Sequence, residues 1–150
     1  MEDIKVVKIK KLPLDDLRPL LEESRELGFE FLDRLVLEYH NGINKFQKPG
    51  EALFGIYRDQ QLIAIGGLNR DPYLAESDIG RVRHVYVLDA YRNQGIGKLL
   101  VQTIIEQAER HFRLLTLRTF SDQAYGFYCA VGFQTKPKIN HATHHIVLDG

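Results

Sequence analysis

Ile4, Val7 and Ile9 recur among lysines and acids between Asp3 and Lys10, an imperfect alternation that predicts an edge strand closed by Pro13. The apolar period then lengthens. Leu17, Leu20, Leu21, Ser24 and Leu27 fall on one helical face, with Asp15 or Asp16 placed to cap it and Pro19 confined to the first turn. Gly28 interrupts. A second helix is expected from about Phe29 to His40, its face formed by Phe31, Leu32, Leu35, Val36 and Tyr39 and its end by Asn41-Gly42. Residues 43–50 (INKFQKPG) read as a loop, more simply surface than a cover over a substrate groove.

The pattern shortens again over Ala52 to Tyr57 and Gln61 to Leu68, two strands joined by Arg58-Asp59-Gln60 as a hairpin. Gly66-Gly67 weakens the second strand unless something packs closely there or a bulge is wanted. A turn-rich connection, 69–78, is a candidate for substrate contact, and Ile79 to Leu88 follows as a strand. After a polar turn, Ile96, Leu99, Leu100, Thr103, Ile104 and Ala108 return at helical spacing to near His111. Leu114 to Arg118 is apolar enough for a central strand. Ser121 or Asp122 caps a last helix carrying Ala124, Phe127, Tyr128 and Val131, stopped by Gly132. Phe133 to Thr135 and His144 to Leu148 read as a closing hairpin around Pro137-Lys138.

Composition narrows the classes. The 150 residues suit one domain, 1–150, with a real core. Twenty basic and twenty acidic side chains cancel, so no nucleic-acid partner is suggested. No apolar run approaches the roughly 20 residues of a membrane helix, and the N-terminus lacks a signal-peptide core. A single cysteine, Cys129, excludes an internal disulfide and fits a reducing compartment, so the expected location is cytoplasmic. His141, His144 and His145 fall in a hairpin without a partnering carboxylate pattern, and no metal is expected there.

The chemistry centres on the turn between the strand at 79–88 and the helix from Ile96. Unpaired N–H groups at a helix start, the positive end of its dipole and the absence of Cβ atoms at Gly95 and Gly97 together favour an anion. A dinucleotide fingerprint fails, because Leu100 stands where its third glycine belongs. A P-loop fails too: Arg92 replaces its first glycine, and Leu99 follows Lys98 where Ser or Thr is needed. What remains is Arg92-Asn93-Gln94-Gly95-Ile96-Gly97, R-x-x-G-x-G directly after a strand.

This turn resembles the pyrophosphate loop of the GNAT superfamily, the acyl-CoA-dependent N-acyltransferases. A second motif, from Ser121 through Ala124, Phe127, Tyr128 and Gly132 to Phe133, is similar to the superfamily's N-x-x-A-x-x-[LF]-Y-x-x-x-G-F, with Ser121 where Asn is commonest. The order of elements matches as well. The resemblance implies an α/β (mixed α+β) fold, with a central, mostly antiparallel sheet of about seven strands flanked by four helices. It also implies acetyl transfer from acetyl-CoA, with no metal, to a primary amine of a small molecule. Cofactor contacts carry over to the backbone of Val85, Tyr86 and Val87, to Arg92, Asn93, Gln94, Gly95, Ile96, Gly97 and Lys98, and to Ser121. Tyr128 matches the proton donor to the departing thiolate, while Tyr86, Tyr91 and Cys129 read as packing.

Many relatives carry a Glu early on the strand before the loop; here Arg81 matches it, with Arg83 on the same strand face. Arginine is no base at neutral pH. A water chain, His84, Glu51, Glu76 and Asp78 stay open for that role. Arg81 and Arg83 point to an acceptor that carries an anionic group, unless both pair with acids such as Glu76 and Asp78. Two other readings use the same fold: a non-catalytic acyl-CoA sensor or interaction module, and a protein N-acetyltransferase. A homodimer is compatible with each.

Overall fold

The fold, taken from a computed structural model, is described for residues 3–148. The elements run β1 (Ile4–Lys8), α1 (Leu14–Glu26), α2 (Phe31–His40), β2 (Ala52–Arg58), β3 (Gln61–Arg70), β4 (Ile79–Val87), a 3-10 turn (Asp89–Tyr91), α3 (Ile96–Glu109), β5 (Leu114–Leu117), α4 (Asp122–Val131) and β6 (His144–Val147). The six strands form one sheet in chain order, β1 to β6. Neighbours are antiparallel except β4 and β5, which run parallel and are joined by α3 as a parallel pair requires. This is the mixed α/β architecture expected, with six strands rather than about seven. The segment after α4 makes a single bridge, Gln134 to His145. Pro137, which has no N–H to offer a ladder, and His141 at φ 63° then turn it away from the sheet.

Two helix starts differ from the sequence pattern for local reasons. Phe29 donates to Ser24 O (2.9 Å) while Gly28 takes φ 85°, so both residues close the C-terminus of α1 and α2 begins only at Phe31. α1 begins at Leu14, with Pro13 before it and no side-chain cap. Asp15 and Asp16 therefore lie inside its first turn, where carboxylates favour the dipole, and Asp16 accepts from Tyr57 Oη at 2.7 Å. Pro19 consequently sits in the second turn, where its missing N–H leaves one helical bond unmade.

Leu17, Leu20, Leu32, Leu35, Ile56, Ile63, Ile65, Leu68 and Leu100 are almost wholly buried, each worth about 1.5–3 kcal/mol relative to exposure. The glycine pair in β3 is explained by close approach from both faces. A Cβ at Gly66 would lie 3.0 Å from Leu100 of α3, and one at Gly67 would lie 2.5 Å from the ring of Phe46. Phe46 thus lies buried on the face of β3 opposite α3, as a core residue of the 43–50 loop. Asn44 and Asn69 exchange two amide hydrogen bonds of 2.9 Å, and Glu51 accepts from Asn69 and from the main chain of Lys48 and Arg70, which fixes the same loop.

The feature that makes a site is the parting of β4 from β5. They pair only through Ile79, Gly80 and Arg81, against Leu114, Leu115 and Thr116. Beyond Arg81, β4 keeps β3 on one edge and opens on the other.

Candidate active site

A cleft of about 1060 Å³ fills the opening, lined by β4 from Arg81 to Val87, the turn and start of α3, the end of β5, and α4. Leu88 N–H donates to Ile63 O (2.9 Å), and the β3–β4 register pairs Ile65 with Tyr86. Strand alternation then directs the main chain of Tyr86 into β3 and that of Val85 and Val87 toward the cleft. The Val87 carbonyl accepts from Arg92 Nε at 3.0 Å. A bulge interrupts the ladder where Val85 and His84 together oppose Gly66, and His84 takes φ 61° there.

The turn after β4 offers its main chain. Tyr91 and Arg92 still donate to Leu88 and Asp89, and the next N–H with a main-chain acceptor is Leu99, to Gly95 O at 3.0 Å. Among the described residues, the six N–H groups from Asn93 to Lys98 have no main-chain acceptor. Asn93 at φ 61° and Gly95 at φ 82° curve this run, a concave arrangement suited to an anion. Asn93, Gly95, Gly97 and Lys98 all line the cleft. A Cβ at Gly95 would meet nothing within 4 Å, so the space before the turn is open. These groups fit a pyrophosphate. Arg92 lies over the ring of Tyr86 (5.3 Å) and 3.6 Å from Asp89.

α4 faces the turn across the cleft. Ser121 caps it, its Oγ accepting from Ala124 N–H at 2.9 Å. Phe127 packs at Gly97, and the Tyr128 ring lies among Phe127, Phe133 and His144. Tyr128 is 7% exposed and lines the cleft, and its hydroxyl has no hydrogen-bond partner among the described residues. Burial pushes its pKa up, so it keeps its proton across the working range. Tyr86 is raised as well, by burial and then by donation to Glu23 of α1, and its phenol braces β4 against that helix.

Phe29, Phe31, Arg34 and Tyr73 also line the cleft, with the Phe31 ring 6.2 Å from that of Tyr86. The first three come from the end of α1 and from α2, and no local motif marks them. Of the two connections open to substrate contact, 69–78 reaches the cleft through Tyr73, while no residue of 43–50 lines it. Asp71 is buried and accepts from Thr116 Oγ1 (2.6 Å), Arg81 (3.4 Å) and the main chain of Tyr73 and Leu74. Arg81 also donates to His141 O at 2.8 Å and stacks on Tyr73, so its guanidinium is held within the wall. Arg83 lines the cleft without a carboxylate partner among the described residues.

The acids weighed as bases lie elsewhere. Glu76 and Asp78 pair with Arg113 at 3.1 and 2.7 Å, and Glu51 fixes the 43–50 loop. No Asp or Glu among the described residues lines the cleft. His84 does, at 8% exposure. Its Nδ1–H donates to Phe31 O (3.1 Å), which leaves Nε2 unprotonated, buried and without a partner. Burial first, and then the charges of Arg83 and Arg34, hold its pKa down at about 4. His144 bonds Thr143 and the Tyr125 carbonyl, and His141 stacks on Tyr73. No three His, Cys, Asp or Glu side chains converge among the described residues, and no helix there is long and apolar enough to cross a membrane.

Comparison with known proteins meets this geometry. The model of the Acetyltransferase (GNAT) family matches residues 14–133. A solved structure named as an acetyltransferase, from Exiguobacterium sp. 255-15, is 31% identical, covers 97% of this chain and 93% of its own, and has a TM-score of 0.84. The chain belongs to the GNAT acetyltransferase family. Two more distant structures share the fold. A GCN5-related N-acetyltransferase from Kribbella flavida is 16% identical over 97% of this chain and 98% of its own, at TM-score 0.72. Glucosamine-6-phosphate N-acetyltransferase from Arabidopsis thaliana is 20% identical over 90% and 94%, at TM-score 0.62.

Proposed function

We propose that the chain, as one domain, transfers an acetyl group from acetyl-CoA to a primary amine of a small molecule that carries an anionic group, by direct attack. The observation that carries this is a juxtaposition: the free Tyr128 hydroxyl and the open edge of β4 border one cleft beside six unpaired N–H groups. The run Asn93–Lys98, with Lys98 and Arg92, would hold the pyrophosphate of acetyl-CoA. The main chain of Val85 and Val87 would hold the arm that follows, while that of Tyr86 stays in the ladder with β3, and Ser121 borders the arm from α4. Bound there, acetyl-CoA supplies the thioester and leaves as the thiol.

The chain's own groups then do three things. A main-chain N–H of Val85 or Val87 donates to the carbonyl oxygen as its charge grows, where a fixed donor needs no reorganisation. Tyr128 Oη gives its proton to the sulfur as the C–S bond breaks, and its raised pKa guarantees that the proton is there to give. The cationic lining disfavours an ammonium ion, so the amine enters neutral. After the N–C bond forms, the nitrogen loses one proton to solvent and Tyr128 regains one from solvent, with no dedicated carboxylate.

The Arabidopsis relative of this fold is named for a phosphorylated amino sugar, an amine of the proposed class. The test is incubation with acetyl-CoA and a panel of amino acids, amino phosphates, simple amines, polyamines and peptides. Free thiol and acetylated product are both measured. Stoichiometric thiol and N-acetylated small molecule are expected. Acetylation of peptides alone would replace the small-molecule reading with a protein N-acetyltransferase.

A further inference from the structure

Six cationic side chains line the cleft, namely Arg34, Arg81, Arg83, Arg92, Arg118 and Lys98, in a chain whose charges balance overall. Four have visible employment. Arg81 is held by Asp71 and the His141 carbonyl, and Arg92 by Asp89 and the Val87 carbonyl. Lys98 stands at the open turn, and Arg118 lies over the ring of Phe120 at 4.9 Å. Arg34 and Arg83 have no hydrogen-bonding or ion-pairing partner among the described residues. They come from different elements, α2 and β4, yet both line the cleft, and the His84–Phe31 hydrogen bond ties the start of α2 to the residue next to Arg83.

The local structure explains why. His84 leaves the ladder at the bulge and donates from Nδ1 to Phe31 O, tying the first residue of α2 to β4. Arg34 is one helical turn beyond Phe31, on the same side of α2, which brings it to the wall that Arg83 forms. Two guanidinium groups assembled without an anion repel each other, and a carboxylate or phosphate between them removes that cost and receives several N–H donors at once.

We propose that Arg34 and Arg83 form the clamp for the acceptor's anionic group, a carboxylate or phosphate borne by the same small molecule as the amine. This rests on the acetyltransferase reading and assigns its specificity to α2 and β4. Arg81, although it shares a strand face with Arg83, is committed to Asp71 and positions the Tyr73 wall.

The experiment pairs acceptors that differ in one charge: an amino acid with its amide, and an aminoalkyl phosphate with the parent amino alcohol. In the wild type, kcat/KM is expected to favour the charged member of at least one pair by about tenfold or more. The pair that shows it distinguishes carboxylate from phosphate. Arg34→Gln and Arg83→Gln should each raise KM for that member about tenfold. The preference for the charged over the neutral member should fall about tenfold in each variant, and affinity for acetyl-CoA should stay unchanged. Equal efficiency within both pairs, preference for polyamines, or an unaltered ranking in both variants overturns the clamp. A second readout needs no turnover: the arginine Nε–H signals of Arg34 and Arg83 should shift on titration with inorganic phosphate or acetate. Shifts without any acetylation would overturn the transferase reading and keep the anion site, whereas no shift overturns the clamp even if amines are acetylated.

Discussion

One region of the cleft lining is the turn, where Asn93, Gly95, Gly97 and Lys98 line the cavity and, among the described residues, the N–H groups from Asn93 to Lys98 have no main-chain acceptor. Another is made of side chains, Arg34, Arg83 and Tyr73, brought from α2, β4 and the 69–78 connection. The first is made by one local event, a strand running into a helix through a glycine turn, and a side chain that fits the backbone there and brings no negative charge would preserve it. The second exists only because β4 bulges at His84 and α2 is bonded to that bulge. A main-chain site therefore belongs to a motif, while a side-chain site belongs to the tertiary fold. The two regions should fail differently.

The largest effect is expected at the main-chain region. A Cβ at Gly97 would lie 3.4 Å from Phe127, ordinary contact, so Gly97→Ala is tolerated. Gly97→Glu brings a carboxylate to the place of the pyrophosphate, and like charges in a desolvated site cost several kcal/mol. Calorimetric titration of the folded variant should find acetyl-CoA affinity lost by about 100-fold or more, with Gly97→Ala within about tenfold of wild type. Unchanged affinity in Gly97→Glu would remove the cofactor from this turn.

The proposed proton donor, which lies on α4 between the two regions, comes next. Tyr128→Phe keeps the ring packed on Phe127 and Phe133 and removes the hydroxyl. kcat should fall by about 10²- to 10⁴-fold with acetyl-CoA affinity unchanged. A kcat within twofold of wild type would exclude Tyr128 from the chemistry.

A smaller effect isolates the hinge of the side-chain region. His84 is neutral in the folded protein down to about pH 4, whereas an unfolded histidine takes up a proton below about 6.5. The unfolded state binds more protons between those values, so stability is lost as pH falls from about 6.5 to about 4 and levels off below. The full window amounts to on the order of 3 kcal/mol. His84→Asn suits the positive φ and lacks the titration. Urea unfolding at pH 7 and pH 4.5 should show the wild type losing clearly more stability than the variant. Equal losses would mean that His84 is not held neutral.

The same contrast explains what could be read in the chain beforehand. The turn at 92–98 and a helix cap at Ser121 or Asp122 announce themselves through short-range spacing, the order of elements through the changing apolar period, and Tyr128 only through its place in a motif that resembles the family's. Gly66-Gly67 signalled close approach, but not that Phe46 is what approaches. Arg34 was silent, because nothing within one helix says which strand it meets. Arg81 and Arg83 looked equivalent from their shared strand face, and only Asp71, ten residues upstream and buried, separates them. The start of α2 shifted because Phe29 closes α1, a cap formed by backbone geometry rather than by apolar spacing.

The most direct measurement is an amide ¹H–¹⁵N titration of the full chain with acetyl-CoA. If the main-chain region holds the cofactor, the largest shifts fall on Asn93 to Lys98, with Val85 and Val87 next and Arg34 little changed. Saturable binding that leaves Asn93–Lys98 unmoved would contradict it.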